Sequence, residues 1–564
     1  MTDLKFKSDG IVDFSGGMDS AANPSSIEKN QYTCAVNMRL KTGRSGIHTR
    51  QGFREVKLNF QTKILEEVYR TEAIQGSGYY LFGNEIVMLV SCGGRIFQLS
   101  EVNKREYDVT YIGHSNNPNN RNAYFTTVPD GIIINDGESK PIYGQKKTYR
   151  RAKENEIGAG HYGVYLQNRF CYVTQDKKRV RFATINNPMS LEESSLNNLD
   201  GYLVPDNTYF SAIGSQRFIK TDAQGGSLVL SSINNIYSID IRGPMSTWKE
   251  ITGDIYDVGA VSPYSFLSVN GNVYFRGRNL GLTSLQYLQS TFSSYGVVED
   301  QSYGGKAFFD NDEPEFLNSC NSVKYNNRIF TTIAPSLGKN NSVYWNGFIS
   351  AIPKQQGTIT YESIYTGVRP WSLCQVDDYY GKEFLYIHSH DCDGVNRMYM
   401  LDEDDDFDRP LGKPVKEIES KIFTRSYSFD SGFVLKKSDQ QIYSLSFINR
   451  NVEVEMSSRK SSDESFKTIF KTKHLQSTES LEKDGTFINA TKQKGFRPFV
   501  PFPDNQESFL FKQDLMKIKG SCCLESIVRQ ASLHPVEKRT HTEEKISQNE
   551  DSCLESVFDY SIVS

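Results

Sequence analysis

A strand–turn–strand unit recurs along the chain and constrains its fold more than any other feature. In residues 262–277, SPYSFLSVNGNVYFRG, apolar and polar residues alternate up to Val269, Asn270-Gly271 follows, and the apolar run resumes at Val273. Asn-Gly between two strand-like runs predicts a tight hairpin, because both central residues of such a turn need a positive φ. Comparable units surround Gly93-Gly94, Asp130-Gly131, Gln167-Asn168, Asn234-Asn235, Asn326-Asn327 and Gly394.

The spacing of these units indicates a repeat. A distance of 37 residues separates Gly94 from Gly131, Gly131 from Asn168, and Asn235 from Asn272. Periods near 40 residues with strand–turn–strand content favour the blades of a β-propeller. Longer spacings between the other hairpin units indicate either a blade whose hairpin is not recognisable or an insertion. A β-sandwich, or several small sheets with the same hairpin chemistry, is the alternative that the spacing leaves open.

Bulk composition excludes several classes of protein. The net charge of −4 gives no global bias toward nucleic acid or acidic membranes. No apolar run is long enough to span a bilayer, and the N-terminus lacks the apolar core of a signal peptide. The nine cysteines are odd in number and irregular in spacing, which predicts buried free thiols without a disulfide framework or a zinc pair. We therefore expect synthesis in a reducing cytoplasm.

The distribution of the hairpins divides the chain into four predicted parts. Residues 1–60 contain no repeat unit and are predicted to form an extended N-terminal arm used in assembly. Deletion of residues 1–55 is expected to leave the propeller folded but to impair ring formation. Residues 61–410 carry the hairpins and are predicted to form the propeller. Residues 415–535 are predicted to form a C-terminal β-sandwich-like domain, where alternation in 452–456, VEVEM, indicates a strand with one solvated face. Residues 536–564 are charged and polar and are predicted to form a tail. The predicted fold class is all-β.

Several short sequence motifs occur in the same order as in one family of proteins. Gly16-Gly17, Asn37, Gly43, and Arg50 with Gly52 resemble the opening of the tail nozzle proteins of short-tailed bacteriophages. Four later marks are similar to the blades and C-terminal domain of those proteins: Asn187-Pro188, residues 228–237, residues 264–281, and Thr424 to Tyr427 followed by Lys436-Lys437. Many members have aspartate before that proline, so Asn187 is a departure. The high content of Asn and Tyr further resembles the muzzle proteins of crAss-like phages.

This resemblance implies a function that composition and spacing do not show. It implies a structural virion protein at the distal end of a short tail, made in the host bacterial cytoplasm. A homohexameric ring would act as conduit and gate for double-stranded DNA, contacting the portal adaptor or ring proteins and the tail fibres. It implies no enzyme activity, cofactor or membrane-spanning segment. The alternative function is a propeller that binds glycans or hydrolyses glycosides, because propeller glycosidases use carboxylates that are distant in sequence.

Two basic clusters are the candidate contacts to DNA or to acidic partners. They comprise Lys146, Lys147, Arg150 and Arg151, and Lys177, Lys178 and Arg179. Lysine and arginine neutralise phosphates, but such clusters are also common on ordinary solvated surfaces.

Two further clusters contain residue types that bind metals. His388, His390, Asp391 and Asp393 combine imidazoles and carboxylates, but the calcium-loop pattern fails because its final glutamate is absent. We predict a polar hairpin without a metal, and whether these residues bind an ion stays open. Six acids among residues 402–408 predict a solvated linker between two domains.

Overall fold

The computed structural model describes most of the chain between Phe6 and His534. It describes residues 6–534 apart from 42–44, 116–121, 192–200, 207, 217–226, 242–247, 251–257, 279–280, 290–293, 355–356, 404, 431–433, 476–498 and 502–507. Gly43 and the predicted tail at 536–564 lie outside the described residues.

The N-terminal segment contains seven short strands and one helix. They are β1 Phe6–Ile11, β2 Gly17–Met18, β3 Gln31–Val36, β4 Met38–Leu40, β5 Ile47–Thr49, β6 Gly52–Glu55, β7 Lys57–Phe60 and α1 Lys63–Thr71. Thr62 caps α1, because its hydroxyl accepts a hydrogen bond from the Leu65 amide.

Seven four-stranded antiparallel units follow, and we number them blades 1–7. Blade 1 is β8 Ile74–Phe82, β9 Glu85–Cys92, β10 Arg95–Asn103 and β11 Glu106–His114, with β7 added in parallel to β11. Blade 2 is β12 Tyr124–Val128, β13 Gly131–Asn135, β14 Ile142–Gln145 and β15 Thr148–Arg151. Blade 3 is β16 Gly160–Leu166, β17 Arg169–Thr174, β18 Arg179–Thr184 and β19 Asn187–Leu191, with β20 Tyr202–Leu203.

Blade 4 is β21 Phe210–Gln216, β22 Ser227–Ser232, β23 Ile236–Asp240 and β24 Lys249–Glu250. Blade 5 is β25 Leu267–Val269, β26 Asn272–Arg276, β27 Leu282–Gln289 and β28 Ser294–Asp300. Blade 6 is β29 Ser322–Tyr325, β30 Arg328–Leu337, β31 Val343–Pro353 and β32 Ile359–Tyr365. Blade 7 is β33 Pro370–Asp377, β34 Glu383–His390 and β35 Asn396–Asp402, completed by β6. A short helix, α2 Lys306–Phe309, and 3₁₀ turns at Pro263–Ser265, Tyr303–Gly305 and Pro314–Ser319 lie between the later blades. Another 3₁₀ turn, Lys339–Asn341, joins β30 to β31 within blade 6.

The first strands of the blades form a closed ring around an axis. Each first strand contacts the first strand of the next blade, from β8 through β12, β16, β21, β25 and β29 to β33, and β33 contacts β8 again. Six blades are separate sheets, and blade 6 fills the remaining position as part of a larger sheet. The predicted β-propeller is therefore confirmed.

The ring is closed by a strand from the N-terminal segment. In β6, Gly52 lies opposite Asp402 and Glu55 opposite Tyr399, so β6 is the outermost strand of blade 7. A β-carbon on Gly52 would lie 2.0 Å from the Phe407 carbonyl oxygen, so this strand has no room for a side chain there. The expectation that residues 1–60 lie outside the blades is wrong for this strand, because pairing with β35 satisfies the edge of the last blade.

A large sheet extends from blade 6 and forms a half-barrel. Strand β32 pairs with β2 and β3, and β3 pairs with the first of the C-terminal strands. Those strands are β38 Glu419–Thr424, β39 Leu435–Arg459, β40 Lys467–Leu475, β41 Phe499–Pro501 and β42 Gln513–His534, preceded by a small pair, β36 Phe407–Asp408 and β37 Lys416–Glu417. These C-terminal strands share one fourteen-stranded sheet with blade 6 and with β1–β5. The prediction of a separate sandwich-like domain at 415–535 is therefore wrong, because the N-terminal strands join its sheet to that of blade 6.

Every hairpin unit recognised in the sequence lies in a different blade. Asn270 and Gly271 have φ of 52° and 83° and join β25 to β26, as the primed turn requires. The unit at Gly94, however, joins the second and third strands of its blade, whereas the unit at Gly131 joins the first and second. The longer gaps therefore reflect connections and non-equivalent hairpins.

Burial follows the predicted patterns. Val452, Val454 and Met456 are fully buried on one face of β39, and the glutamates between them lie on the other face. Among the described cysteines, seven are buried and Cys392 is exposed, without a disulfide. Within the described part of the chain, no helix is both long enough and apolar enough to span a bilayer.

Candidate functional site

Two of the residues that carried the family resemblance, Asn37 and Arg50, meet at the junction of the propeller and the half-barrel. The Arg50 guanidinium is 1% exposed and donates from Nη1 and Nη2 to both carboxylate oxygens of Asp408, at 2.8 and 2.7 Å. Its Nε donates to the Asn37 side-chain oxygen at 2.9 Å. Asn37 in turn donates to the Glu419 carbonyl at 2.8 Å and to the Thr366 hydroxyl at 3.0 Å. This network joins the N-terminal segment, the loop after β32, strand β36 and strand β38.

A cleft opens beside this junction network. It encloses about 640 Å³ between blade 7 and the half-barrel, and Arg50, Asn37 and Asp408 form part of its wall. Arg369 and Arg397 from blade 7 and Lys421 and Lys519 from the half-barrel also line it. The cleft is therefore polar and charged, and its outer wall continues onto the half-barrel surface.

That surface carries two rows of charged side chains across four strands, which we call the charge ladder. In the first row, the Cα partners run Lys473, Glu453, Lys519 and Glu419. In the second row, they run Lys471, Glu455, Lys517 and Lys421. The ladder lies on the face opposite the buried Val452, Val454 and Met456.

The ladder is held by cross-strand ion pairs. The Lys473 ammonium lies 3.3 Å from Glu453, and the Lys517 ammonium lies 3.3 Å from Glu455. Lys471 lies 3.8 Å from Glu455. Opposite charges directly across a sheet are mutually stabilising, and five lysines with three glutamates leave a net charge of +2. Sequence reasoning found the strand at 452–456 but missed the ladder, because its partners come from segments up to 100 residues apart.

The first predicted basic cluster lies on the outer part of blade 2 and is engaged within the chain. Lys146 and Lys147 form the turn between β14 and β15, and the Lys147 ammonium lies 2.7 Å from Glu85. Arg150 makes a two-fold hydrogen-bonded pair with Glu156, which raises the pKa of Arg150. Arg151 donates to the His114 carbonyl at 2.6 Å.

The second basic cluster lies in blade 3. Lys177 and Lys178 form the turn between β17 and β18, Arg179 begins β18, and burial lowers the pKa of the half-buried Lys177. Since this turn joins the second and third strands, whereas the Lys146 turn joins the third and fourth, the two turns lie on opposite faces of the propeller. The structure does not bring the clusters together, and their contact with a partner stays a prediction.

The side chains of the candidate metal-binding cluster at 388–393 make contacts with other side chains of the protein. Burial lowers the pKa of His388 to about 3, and its Nδ1 lies 3.3 Å from the Tyr69 hydroxyl. The His390 ring packs between Tyr344 and Trp371.

The two carboxylates of this cluster are paired with an arginine. The Arg397 guanidinium donates to Asp391 and to Asp393 at 2.6 Å each. Among the described residues, no group of three or more His, Cys, Asp or Glu side chains could hold a metal ion.

The acidic run at 402–408 is not the solvated linker that the sequence predicted. Asp402 is 4% exposed and accepts hydrogen bonds from Arg54 at 2.7 Å and Arg105 at 2.9 Å. Asp405 is equally buried and pairs with Arg54 and Arg409. This run is not a solvated linker, because arginines from blades 1 and 7 satisfy its buried carboxylates.

Tyr264 reaches across the axis of the propeller at one end. This residue lies in the turn before blade 5, yet its hydroxyl donates to the Ala123 carbonyl at 2.8 Å, at the start of blade 2. Its ring stacks on Tyr124 with centroids 5.3 Å apart. Tyr264 also borders a cavity of about 40 Å³ that residues of blades 1, 6 and 7 line. Because its neighbours come from all sides of the ring, Tyr264 lies on the axis.

The opposite end of the channel is open. A funnel of about 470 Å³ lies where the first strands end, lined by residues of blades 1, 2, 5, 6 and 7. Tyr264 and this funnel therefore lie at opposite ends of the propeller axis.

Comparison with known proteins finds only distant likenesses. No protein-family profile and no curated protein matches the chain. Two similar solved structures are BBS1N, from its complex with ARL6DN, and YCF48 from Cyanidioschyzon merolae. BBS1N has 9% identity and a TM-score of 0.34, over 63% of this chain and 98% of its own. YCF48 has 9% identity and a TM-score of 0.33, over 59% of this chain and 97% of its own. Likenesses this distant carry no argument about function.

Proposed function

We propose that the chain is a structural subunit of a short phage tail, forming the nozzle or muzzle at its distal end. Several copies, six by the family resemblance, would form a ring that serves as conduit and gate for double-stranded DNA during genome ejection. The observation that carries the proposal is the charge ladder, which covers an open half-barrel attached to the side of a propeller.

The position of Tyr264 supports a DNA path outside the propeller axis. Because its side chain reaches across that axis to Ala123, we place the conduit between copies rather than within one. The half-barrel is an open sheet, and curved open sheets placed around a rotation axis can line a tube. Ring closure needs heterologous contacts, with different patches of neighbouring copies meeting.

The charges of the ladder suit a wall along which DNA moves. Lysines attract phosphates, and the glutamates between them limit how many phosphates are neutralised at one time. A net charge of +2 spread over eight side chains gives a weak attraction that salt screens strongly. Such a surface guides a duplex without holding it in place.

The remaining surfaces would contact other tail proteins. The proposed partners are the portal adaptor or ring proteins and the tail fibres, and the proposed location is the virion tail. The basic clusters on opposite faces of the propeller would meet acidic surfaces of such neighbours. In this function the protein has no catalytic turnover and no cofactor.

The experiment combines mass measurement with imaging. The purified full-length chain is measured by mass photometry over a range of concentrations, with and without cross-linking, and is imaged in negative stain. Purified virions are searched for the chain by mass spectrometry. We expect rings, and the chain among the tail proteins. A chain that stays monomeric in every condition and is absent from virions overturns the proposal.

A further inference from the structure

The open mouth of the propeller channel has the properties of a ligand site. Its volume of about 470 Å³ falls within the range of about 300–1,000 Å³ that is common for small-molecule pockets. Tyr264 reaches across the axis at the far end, so a ligand that enters deeply from the mouth meets this side chain as a floor. This inference does not rest on the proposed tail function.

The wall of the mouth is rich in hydroxyl groups. Ser77, Thr127, Ser268 and Ser322 come from four different blades. Thr127 donates its proton to the Tyr79 carbonyl at 2.6 Å, and Ser77 lies 3.1 Å from the Ser372 hydroxyl. Because a hydroxyl has two acceptor lone pairs besides its donor, each of these groups retains capacity for a ligand. Groups that can both donate and accept suit a ligand that is itself rich in hydroxyls.

One carboxylate is positioned at the rim by its neighbours. Asp377 accepts a hydrogen bond from the Gln375 side-chain amide at 2.6 Å, and the Asp377 amide donates to the Tyr79 hydroxyl at 3.1 Å. Glu383 lies directly across from Asp377 on β34, and like charges in that relation are unfavourable. Burial, helped by Glu383, raises the pKa of Asp377.

The net charge of the mouth argues for a neutral ligand. Glu383 is paired with the Lys324 ammonium at 3.1 Å and accepts a hydrogen bond from the Asn326 amide. Among the described residues of the lining, Asp377 is then the acid without an ion pair, which disfavours phosphates and other anions. Tyr79 and Phe125 also line the mouth and supply aromatic surface on which the apolar face of a sugar ring can pack.

We propose that the mouth of the propeller channel binds a carbohydrate, with Asp377 and Gln375 accepting from and donating to its hydroxyls and Tyr79 or Phe125 packing on its ring. The site takes one or two sugar units, since the floor at Tyr264 prevents a chain from threading through the propeller.

The test uses the full-length protein and a panel of methyl glycosides of common hexoses and N-acetylhexosamines. Binding is measured by saturation-transfer difference NMR and by titration calorimetry. We expect saturable binding of at least one glycoside, weakened at least tenfold by Asp377→Asn. Ser268 is exposed at the mouth, so Ser268→Trp fills the funnel and should abolish binding, whereas Thr148→Trp, on the exposed outer strand of blade 2, should leave it unchanged. Thermal unfolding establishes that each variant is folded. Absence of binding by every glycoside, or binding that Ser268→Trp and Asp377→Asn do not alter, overturns the proposal.

Discussion

Arg50 and Asp408 form a two-fold hydrogen-bonded ion pair that joins the N-terminal segment to the strand after blade 7, 358 residues later in the chain. The guanidinium also packs on the Phe53 ring, 4.0 Å from its centroid. Because Arg50 is almost fully buried and Asp408 is 22% exposed, the pair is only partly accessible to water. Blade 7, the half-barrel and the N-terminal segment therefore depend on one another at this point.

Removing the arginine should destabilise the protein strongly. We expect Arg50→Ala to lower the free energy of unfolding by about 3–5 kcal/mol, because it leaves the Asp408 carboxylate without its partner. Urea unfolding followed by circular dichroism measures this change. Lys29→Ala is the control, since Lys29 and Asp430 form an exposed pair at 2.8 Å. Equal midpoints for the two variants would show that the junction network does not hold the domains together.

The Asn270-Gly271 turn gives a local test of the propeller. Gly271 has φ of 83°, a conformation that β-branched residues resist. We expect Gly271→Val to cost about 1–3 kcal/mol. Asn270→Gly is the matched control, because glycine adopts the φ of 52° at that position without strain. A melting temperature of Gly271→Val equal to that of the wild type would contradict the two-residue hairpin.

Truncation tests the closure of the ring. Deletion of residues 1–55 removes β6, the fourth strand of blade 7, together with β3 in the half-barrel. We expect the truncated chain to lack cooperative unfolding, since the edge of β35 and the core around Tyr32 and Phe53 become exposed. Deletion of residues 1–5 is the control. A cooperative transition near the wild-type temperature after the larger deletion would restore the view of residues 1–60 as a separable arm.

His388 should make the protein sensitive to acid. Its folded-state pKa of about 3 lies below the ordinary value of 6.5, so the unfolded chain binds the proton more readily. The resulting stability is complete above pH 6.5 and is lost as pH falls toward 3. At pH 5 the loss is about 2 kcal/mol.

The measurement compares the wild type with His388→Leu. Unfolding free energies are determined between pH 7.5 and about 5, with exposed His114→Gln as the control for removing a histidine. We expect the unfolding free energy of His388→Leu to depend less steeply on pH than that of the wild type. The difference in slope should approach the value for one proton bound on unfolding. Parallel slopes for the two proteins would mean that His388 is accessible to protonation in the folded state.

Local signals in the sequence predicted local structure well. The Asn-Gly turn, the strand at 452–456 and the hairpin in each blade all depend on residues that are neighbours in the chain. The spacing of 37 residues was less informative, because the Gly94 and Gly131 hairpins occupy different positions in their blades. Insertions in the connections hide the true repeat, which begins at the first strand of each blade.

The sequence patterns did not predict which strands and side chains pair over long distances in the chain. Nothing near Gly52 indicates that β6 pairs with β35, and nothing in the acidic run identifies Arg54 and Arg105 as its partners. A run of acids is normally solvated because burial of a carboxylate is costly, and only the arginines that the fold supplies offset that cost. The site at the channel mouth was missed for the same reason, since its side chains come from five blades.

The last prediction concerns the charge ladder and its proposed role toward DNA. In Glu453→Gln/Glu455→Gln, five lysines remain with one glutamate, so more phosphates are neutralised when a duplex lies on the half-barrel. We expect tighter, sequence-independent binding of a short DNA duplex in fluorescence anisotropy. The log–log dependence on salt should steepen by about 0.9 for each additional phosphate contacted. The control Glu313→Gln/Glu315→Gln makes the same change in net charge on an exposed turn of the propeller. If both double variants bind DNA alike, net charge alone governs the interaction, and the half-barrel is not the face that DNA meets.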